Sequence, residues 1–322
     1  MWQYIIRRIF VSILILFVIA FILYLIIRSM PGDYVTNITA GKKNITPEMV
    51  ASLRHIYGLD EGIIQGFFSW AGNAARLDFG ISFMYHLPVA QLLGQRMMVS
   101  FTLLLPALLL EILIGVPLGV FSATKPYSKA DYSLTALAFI GLSVPSFFLA
   151  VILKRTLGYG AGIFPPFGLV SATEDYTGFA YVMDYAWHLV MPVIVLAFTS
   201  LGFYMRYARS NMIEALGEDY IRTARAKGLP ERRVIYSHGL RNALIPIVTL
   251  IGGELPALFS GAIITENLFA IPGIGYTGYQ AMIGGDIPLI MAFNVFLAAL
   301  TLLGNLLADI SYAFVDPRVR LS

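Results

Sequence analysis

Residues 218–246 read EDYIRTARAKGLPERRVIYSHGLRNALIP, the one long polar stretch in the C-terminal two thirds of an otherwise apolar chain. It carries Arg222, Arg225, Lys227, Arg232, Arg233 and Arg241, and Arg206 and Arg209 stand just before it. The break Gly228-Leu229-Pro230 divides it into two short helical pieces. Glycine supplies the open backbone that ends the first piece, and proline followed by Glu231 starts the second. A polar helix–turn–helix flanked by hydrophobic runs is expected outside the bilayer, where another protein grips it. The plainer reading is a solvated basic loop that only sets topology. Against that reading stand the break itself and the apolar residues Ile221, Leu229, Val234 and Ile235, which call for a partner surface.

Working outward, composition sets the class. Hydrophobic residues make up 58% of the 322 residues, charged residues 13%, and the mean hydropathy is +0.75. A soluble domain carries about 25% charged residues. The fold class expected is therefore an all-α integral membrane protein. Net charge is only +3, so the basic residues argue for topology and against nucleic acid. The chain has no cysteine, which excludes disulfides and thiolate metal sites. His55, His86, His188 and His238 are scattered, with no H-E-x-x-H and no paired acid spacing, so neither a metal site nor catalytic residues are expected. His188, beside Trp187, reads as a membrane-interface residue.

Six spans of about 20 apolar residues or more are expected, at 4–27, 99–123, 132–153, 187–207, 243–265 and 289–314. The first is too long for a signal-peptide core and reads as a retained span. The division is residues 1–29 as the first transmembrane helix, 30–96 as an extracytoplasmic region, 97–314 as the core with helices two to six, and 315–322 as a tail. The polar loop of the core runs over 209–242. Arg7, Arg8, Lys125, Lys129, Arg318 and Arg320 join the loop's basic residues on one side, which places both termini in the cytoplasm. Lys154 and Arg155 fall on the other side and are assigned to headgroup snorkelling. Within 30–96, Thr46-Pro47-Glu48 reads as a helix start. The piece 63–75, with Phe67, Phe68 and Trp70, reads either as a surface-lying amphipathic helix or as a cap packed on the spans. Gly115 and Gly119 serve close helix packing.

The run Leu216-Gly217-Glu218-Asp219-Tyr220-Ile221-Arg222-Thr223-Ala224-Arg225-Ala226-Lys227-Gly228-Leu229, followed by Leu240-Arg241-Asn242-Ala243 and Pro246, resembles the cytoplasmic loop of dipeptide/oligopeptide ABC importer permeases. The first outer region of that family's first permease is similar at Met30-Pro31-Gly32-Asp33, Tyr57-Gly58-Leu59-Asp60 and Asp78-Phe79-Gly80-Ile81-Ser82. Glu266 to Gly275 resembles its last outer loop, and Asp316-Pro317-Arg318 its tail. The broader importer signature opens Glu-Ala-Ala. This chain has Arg222-Thr223-Ala224 there, as the peptide branch commonly does.

The resemblance implies six helices of the type I importer permease kind in a prokaryotic cell membrane. It also implies four kinds of partner: a second, homologous permease, two cytoplasmic ATPase subunits, an extracytoplasmic substrate-binding protein and membrane lipid. Asp219, Tyr220, Arg222, Thr223, Ala224, Arg225, Ala226, Lys227, Gly228 and Leu229 would contact the ATPase. No G-x-x-x-x-G-K-[ST] loop occurs in the sequence, so ATP and Mg are expected on the partners and no cofactor on this chain. Two further readings stand beside the peptide importer: a nickel or other small-solute importer of the same family, and an ATP-independent secondary transporter. Glu111 and Glu254 fall near mid-depth of their spans, where a charge needs a cavity or a partner. Each either lines the path and attracts a peptide's amino terminus, or makes a structural hydrogen bond between helices.

Overall fold

Pro145 is where the layout departs from a row of straight rods. In the computed structural model, which describes residues 2–29, 34–39, 46–56, 60, 62–172 and 174–315, the regular structure is helical apart from one β-bridge between Ile81 and Pro88. The stretches 30–33, 57–59 and 316–318 that entered the family resemblance lie outside the described residues. Helices α1 (Trp2–Ser29), α2 (Tyr34–Thr39), α3 (Pro47–Ile56) and α4 (Ile63–Ala74) precede α5 (Val89–Thr124), α6 (Lys129–Ser143), α7 (Ser146–Leu153) and α8 (Gly178–Gly217). The polar segment holds α9 (Asp219–Ala226) and α10 (Glu231–Arg233). Then follow α11 (Leu240–Glu254), α12 (Ile263–Leu268), α13 (Ile274–Gly284) and α14 (Ile287–Val315).

Among the described residues, five continuous helical stretches are long and apolar enough to cross a membrane: Ile6–Ser29, Val89–Thr124, Gly178–Gly217, Glu231–Phe259 and Ile287–Leu307. The pair Lys129–Ser143 and Ser146–Gly160, bent by 94°, supplies the sixth. The expected third span is thus broken. Proline lacks the N–H that would continue the helix and pushes its predecessor into extended backbone, and Val144 sits at φ −77°, ψ 120°. The helices also overrun the expected spans. At 1.5 Å per residue the 40-residue α8 is about 60 Å long, twice the hydrocarbon core. Polar residues such as Gln91 and Gln95 interrupt the apolar run without ending α5.

The centre of the molecule is α8, packed between α5 and α6. Glycines set both crossings. A Cβ on Gly115 would stand 3.0 Å from the Leu201 carbonyl oxygen and 3.1 Å from the Tyr204 Cβ, so α5 and α8 touch backbone to backbone there. Gly202 does the same for α6, where a Cβ would come within 2.5 Å of the Ala138 oxygen. At α3, Thr46 caps as expected, its Oγ1 accepting from the Met49 N–H at 3.3 Å. One face of α4 packs on the spans: Phe67 is fully buried, with the rings of Phe17, Phe21 and Tyr24 of α1 at 5.3, 5.0 and 5.7 Å, while Ile64 and Phe68 stay exposed.

Two expectations are corrected. Lys154 does not snorkel. Its Nζ donates to the Leu268 carbonyl at the end of α12 and lies 5.4 Å from the Phe269 ring centroid, because the last carbonyls of a helix lack intrahelical donors. His188 is buried inside α8, its Nδ1 2.8 Å from the Asp184 carbonyl oxygen, while its neighbour Trp187 is the exposed one.

Candidate functional site

The polar segment folds as a closed hairpin. Helix α9 ends in a Schellman motif: Gly228 N–H donates to the Arg225 carbonyl at 2.9 Å and Leu229 N–H to the Ala224 carbonyl at 3.4 Å. That motif needs a left-handed residue, and Gly228 has φ +75°. Its accompanying apolar contact is present, with Leu229 packed on a small core of Ile221, Ala224 and Val234. Arg225 closes the hairpin by a fork to Glu231, Nη2 to Oε1 at 2.7 Å and Nε to Oε2 at 3.2 Å. These hydrogen bonds raise the Arg225 guanidinium above its ordinary value. Asp219 opens α9 and accepts from Arg222 at 3.2 Å, and Thr223 Oγ1 bonds the Asp219 carbonyl at 3.0 Å. The residues singled out from sequence therefore divide by face. Ala224 points into the small core. Tyr220, Arg222, Thr223, Arg225, Ala226 and Lys227 are exposed.

One feature differs from the sequence reading. The second piece is not a separate short helix. Helix α10 passes through a π-helical turn, Val234–Gly239, into α11 and on to Phe259 as one helical stretch. Gly239 lies against α8, where an added Cβ would stand 3.0 Å from Met212 Cε and 3.1 Å from Leu216 Cδ2. The hairpin is thus joined to two long helices at once.

Behind it sits a clamp that sequence reasoning missed. Asp131 at the start of α6 is buried and receives a two-pronged contact from Arg209 of α8, Nε to Oδ1 at 2.7 Å and Nη2 to Oδ2 at 2.8 Å. Ser122 Oγ of α5 donates to Oδ1, and the Tyr127 N–H donates to Oδ2 at 2.8 Å. Three long helices meet on one carboxylate.

At the opposite end of the molecule two more buried carboxylates do similar work. Glu266 takes the Ser100 hydroxyl at 2.7 Å and the Ala262 N–H at 2.9 Å on Oε1, and the Tyr276 N–H at 2.7 Å on Oε2. Ser100 Oγ in turn accepts from the Ile274 N–H at 2.8 Å, so the first turn of α13 is capped from α5 and α12. Asp286 accepts from Ser82 Oγ at 2.6 Å and the Met84 N–H at 3.0 Å, and caps α14 through the Leu289 N–H at 3.3 Å. Glu266 lay inside a stretch already singled out for its resemblance, but nothing local marked its partners.

The two acids expected at mid-span stand on different helices, Glu111 on α5 and Glu254 on α11. Glu111 is buried and Glu254 is exposed. Among the described residues, groups of three or more metal-ligating side chains are absent.

An all-α protein with six membrane-crossing helices and a polar hairpin between the fourth and fifth is a multi-pass membrane component of the type I ABC importer permease kind. Family comparison agrees. The model "Binding-protein-dependent transport system inner membrane component" matches residues 115–321, and its N-terminal companion matches residues 1–104. The chain belongs to this family. It is 39% identical over 320 residues to the oligopeptide transport system permease protein AppB of Bacillus subtilis, covering 99% of each chain. The dipeptide transport system permease proteins DppB of Lactococcus lactis and of Escherichia coli are 36% and 35% identical, over 100% and 99% of each chain.

Proposed function

We propose that this chain is one of two permease subunits of an ATP-driven peptide importer in a prokaryotic cell membrane, with both termini in the cytoplasm. It forms half of the path and takes its drive from two cytoplasmic ATPase subunits. ATP and Mg are held by those subunits and not by this chain. An extracytoplasmic binding protein delivers the peptide. The names of the relatives support the substrate class, and the hairpin at 219–239 supports the division of labour.

The observation that carries this reading is the hairpin's two-faced construction. One face presents Tyr220, Arg222, Thr223, Ala226 and Lys227 to solvent. The other is locked by the Schellman turn, the Arg225–Glu231 fork and the Ile221–Val234 core. A helix so locked moves as one body with α10 and α11. Displacement of α9 by a closing ATPase pair is therefore passed along 29 helical residues, Glu231–Phe259, rather than absorbed in a flexible joint. The Gly239 contact passes the same displacement to α8.

Co-purification tests the reading. The chain is expressed with its neighbouring permease and ATPase genes, captured by a tag on this chain, and assayed for ATPase activity with peptide-loaded binding protein. The expected outcome is a complex whose ATPase is stimulated by the loaded protein. A chain that purifies alone and transports in liposomes without ATP contradicts it.

A further inference from the structure

Arg206 stands apart from the other basic residues near the hairpin. Arg209 is paired with Asp131 and Arg225 with Glu231, but among the described residues Arg206 makes no hydrogen bond or ion pair. Its guanidinium is held instead over the Phe139 ring of α6, 4.8 Å from the centroid. It borders a groove of 380 Å³ between α6 and α8, lined by Leu142, Phe203, Arg206, Tyr207 and Ser210. Phe203 and Tyr207 build one wall from parallel rings, 6.1 Å between centroids and 7° between planes. The Tyr207 and Ser210 hydroxyls are also uncommitted among the described residues.

The groove has a polar end and an apolar end. The Arg209–Asp131 contact fixes the register of α8 against α6 on the hairpin's side. At 1.5 Å per residue, Ser210, Tyr207 and Arg206 stand within about 5 Å of that level along α8. Phe203 lies about 9 Å from it along α8, and Leu142 about 16 Å from it along α6. Phe139, Leu142 and Phe203 are all exposed. Exposed apolar surface therefore leads up to a cation at its edge. Lys125 and Lys129, in the turn between α5 and α6, add charge of the same sign on the same side. Glu214, the next acid on this face of α8, is two turns from Arg206 and outside the groove.

We infer that this groove binds one anionic phospholipid of the leaflet on the hairpin's side, its phosphate on Arg206 and an acyl chain along Leu142 and Phe203. The inference rests on the membrane reading of the helices and not on the transported solute. A guanidinium forks onto phosphate, and the two hydroxyls supply further donors beside it. A soluble anion would use the polar end alone; a lipid uses both ends. A zwitterionic lipid brings the same phosphate with a cation attached, which Arg206, Lys125 and Lys129 repel, so the site favours net negative headgroups. The bound lipid bridges the same two helices as the Arg209–Asp131 clamp, one turn away.

Ser143, exposed and four residues on from Phe139, lies on the same face of α6. The chain has no cysteine, so Ser143→Cys places a single thiol in it. In the assembled complex, with cysteines removed from the other subunits, that thiol is labelled with bimane. The complex is placed in nanodiscs of dioleoylphosphatidylcholine in which a rising fraction of the lipid carries dibrominated acyl chains. Bromine quenches only a fluorophore that it touches. The brominated lipid is phosphatidylglycerol in one series and phosphatidylcholine in the other. With one arginine contact at stake, brominated phosphatidylglycerol is expected to half-quench at about one fifth of the mole fraction that phosphatidylcholine needs. Arg206→Gln is expected to bring the two curves together. Equal quenching by the two lipids overturns the site, and so does a preference that survives Arg206→Gln. Quenching by neither lipid also overturns it, and assigns this face to the second permease or to the transport path. The comparison of the two lipids needs only the labelled chain, so it decides even where Arg206→Gln does not assemble. Both leaflets of the nanodisc have one composition, so the result does not depend on which side of the membrane the hairpin occupies.

Discussion

The hairpin and the far end of this molecule are closed in opposite ways. The hairpin itself is closed by contacts between residues close in sequence: Asp219 with Arg222, Arg225 with Glu231, and Leu229 with Ala224. At the far end α12, α13 and the start of α14 are tied by Ser100–Glu266 and Ser82–Asp286, pairs 166 and 204 residues apart. Local closure makes a unit that keeps its shape while it is pushed. Long-range closure makes a joint whose geometry depends on how the long helices stand relative to one another. An element that receives force and an element that responds to it would differ in this way.

Four substitutions break or sharpen that contrast, in falling order of effect. Arg209→Ala leaves the buried Asp131 without its cation and is expected to cost about 3–5 kcal/mol, read as loss of folded chain in detergent on heating. Glu266→Gln weakens three hydrogen bonds that a carboxylate accepts. About 2–3 kcal/mol is expected, with the loss appearing as faster hydrogen exchange in α12 and α13 and little change in α9. Gly228→Val meets no neighbour within 4 Å, so its cost is the left-handed backbone alone, about 1–2 kcal/mol. Assembly is expected to be partly kept and coupling lost; unchanged transport would count against the hairpin's role. Glu231→Gln opens an exposed fork worth under about 1 kcal/mol. Its expected signature is a small fall in thermal stability with transport retained.

The same contrast explains what was legible in the sequence. Hydropathy placed the spans, because a chain of mean hydropathy +0.75 has few ways to hide a polar loop. The hairpin was readable from Gly228-Leu229-Pro230, since a Schellman turn is written in adjacent residues. Its continuation into α11 was not. Pro230 marks a helix start but says nothing of where that helix ends, and Gly239, which looks like a stop, is a packing contact with Met212. The break at Pro145 was hidden among equals: Pro106, Pro117, Pro192 and Pro246 all stay inside continuous helices, where neighbours satisfy the freed carbonyls. Glu111 and Glu254 were visible as acids within apolar runs. That Glu111 is buried and Glu254 exposed depends on how α5, α8 and α11 pack. Asp131, Glu266 and Asp286 were unreadable for the reason they matter, since each collects donors from distant segments.

The most direct test of the central claim is a cross-link from the hairpin. Ala226→Cys, exposed on α9, is treated with a short bifunctional thiol reagent in the assembled complex, alongside Tyr279→Cys, exposed on α13 at the far end. The account predicts that Ala226→Cys joins this chain to an ATPase subunit with a yield that changes on ATP binding, and that Tyr279→Cys does not. An ATPase captured from Tyr279→Cys but not from Ala226→Cys would contradict it.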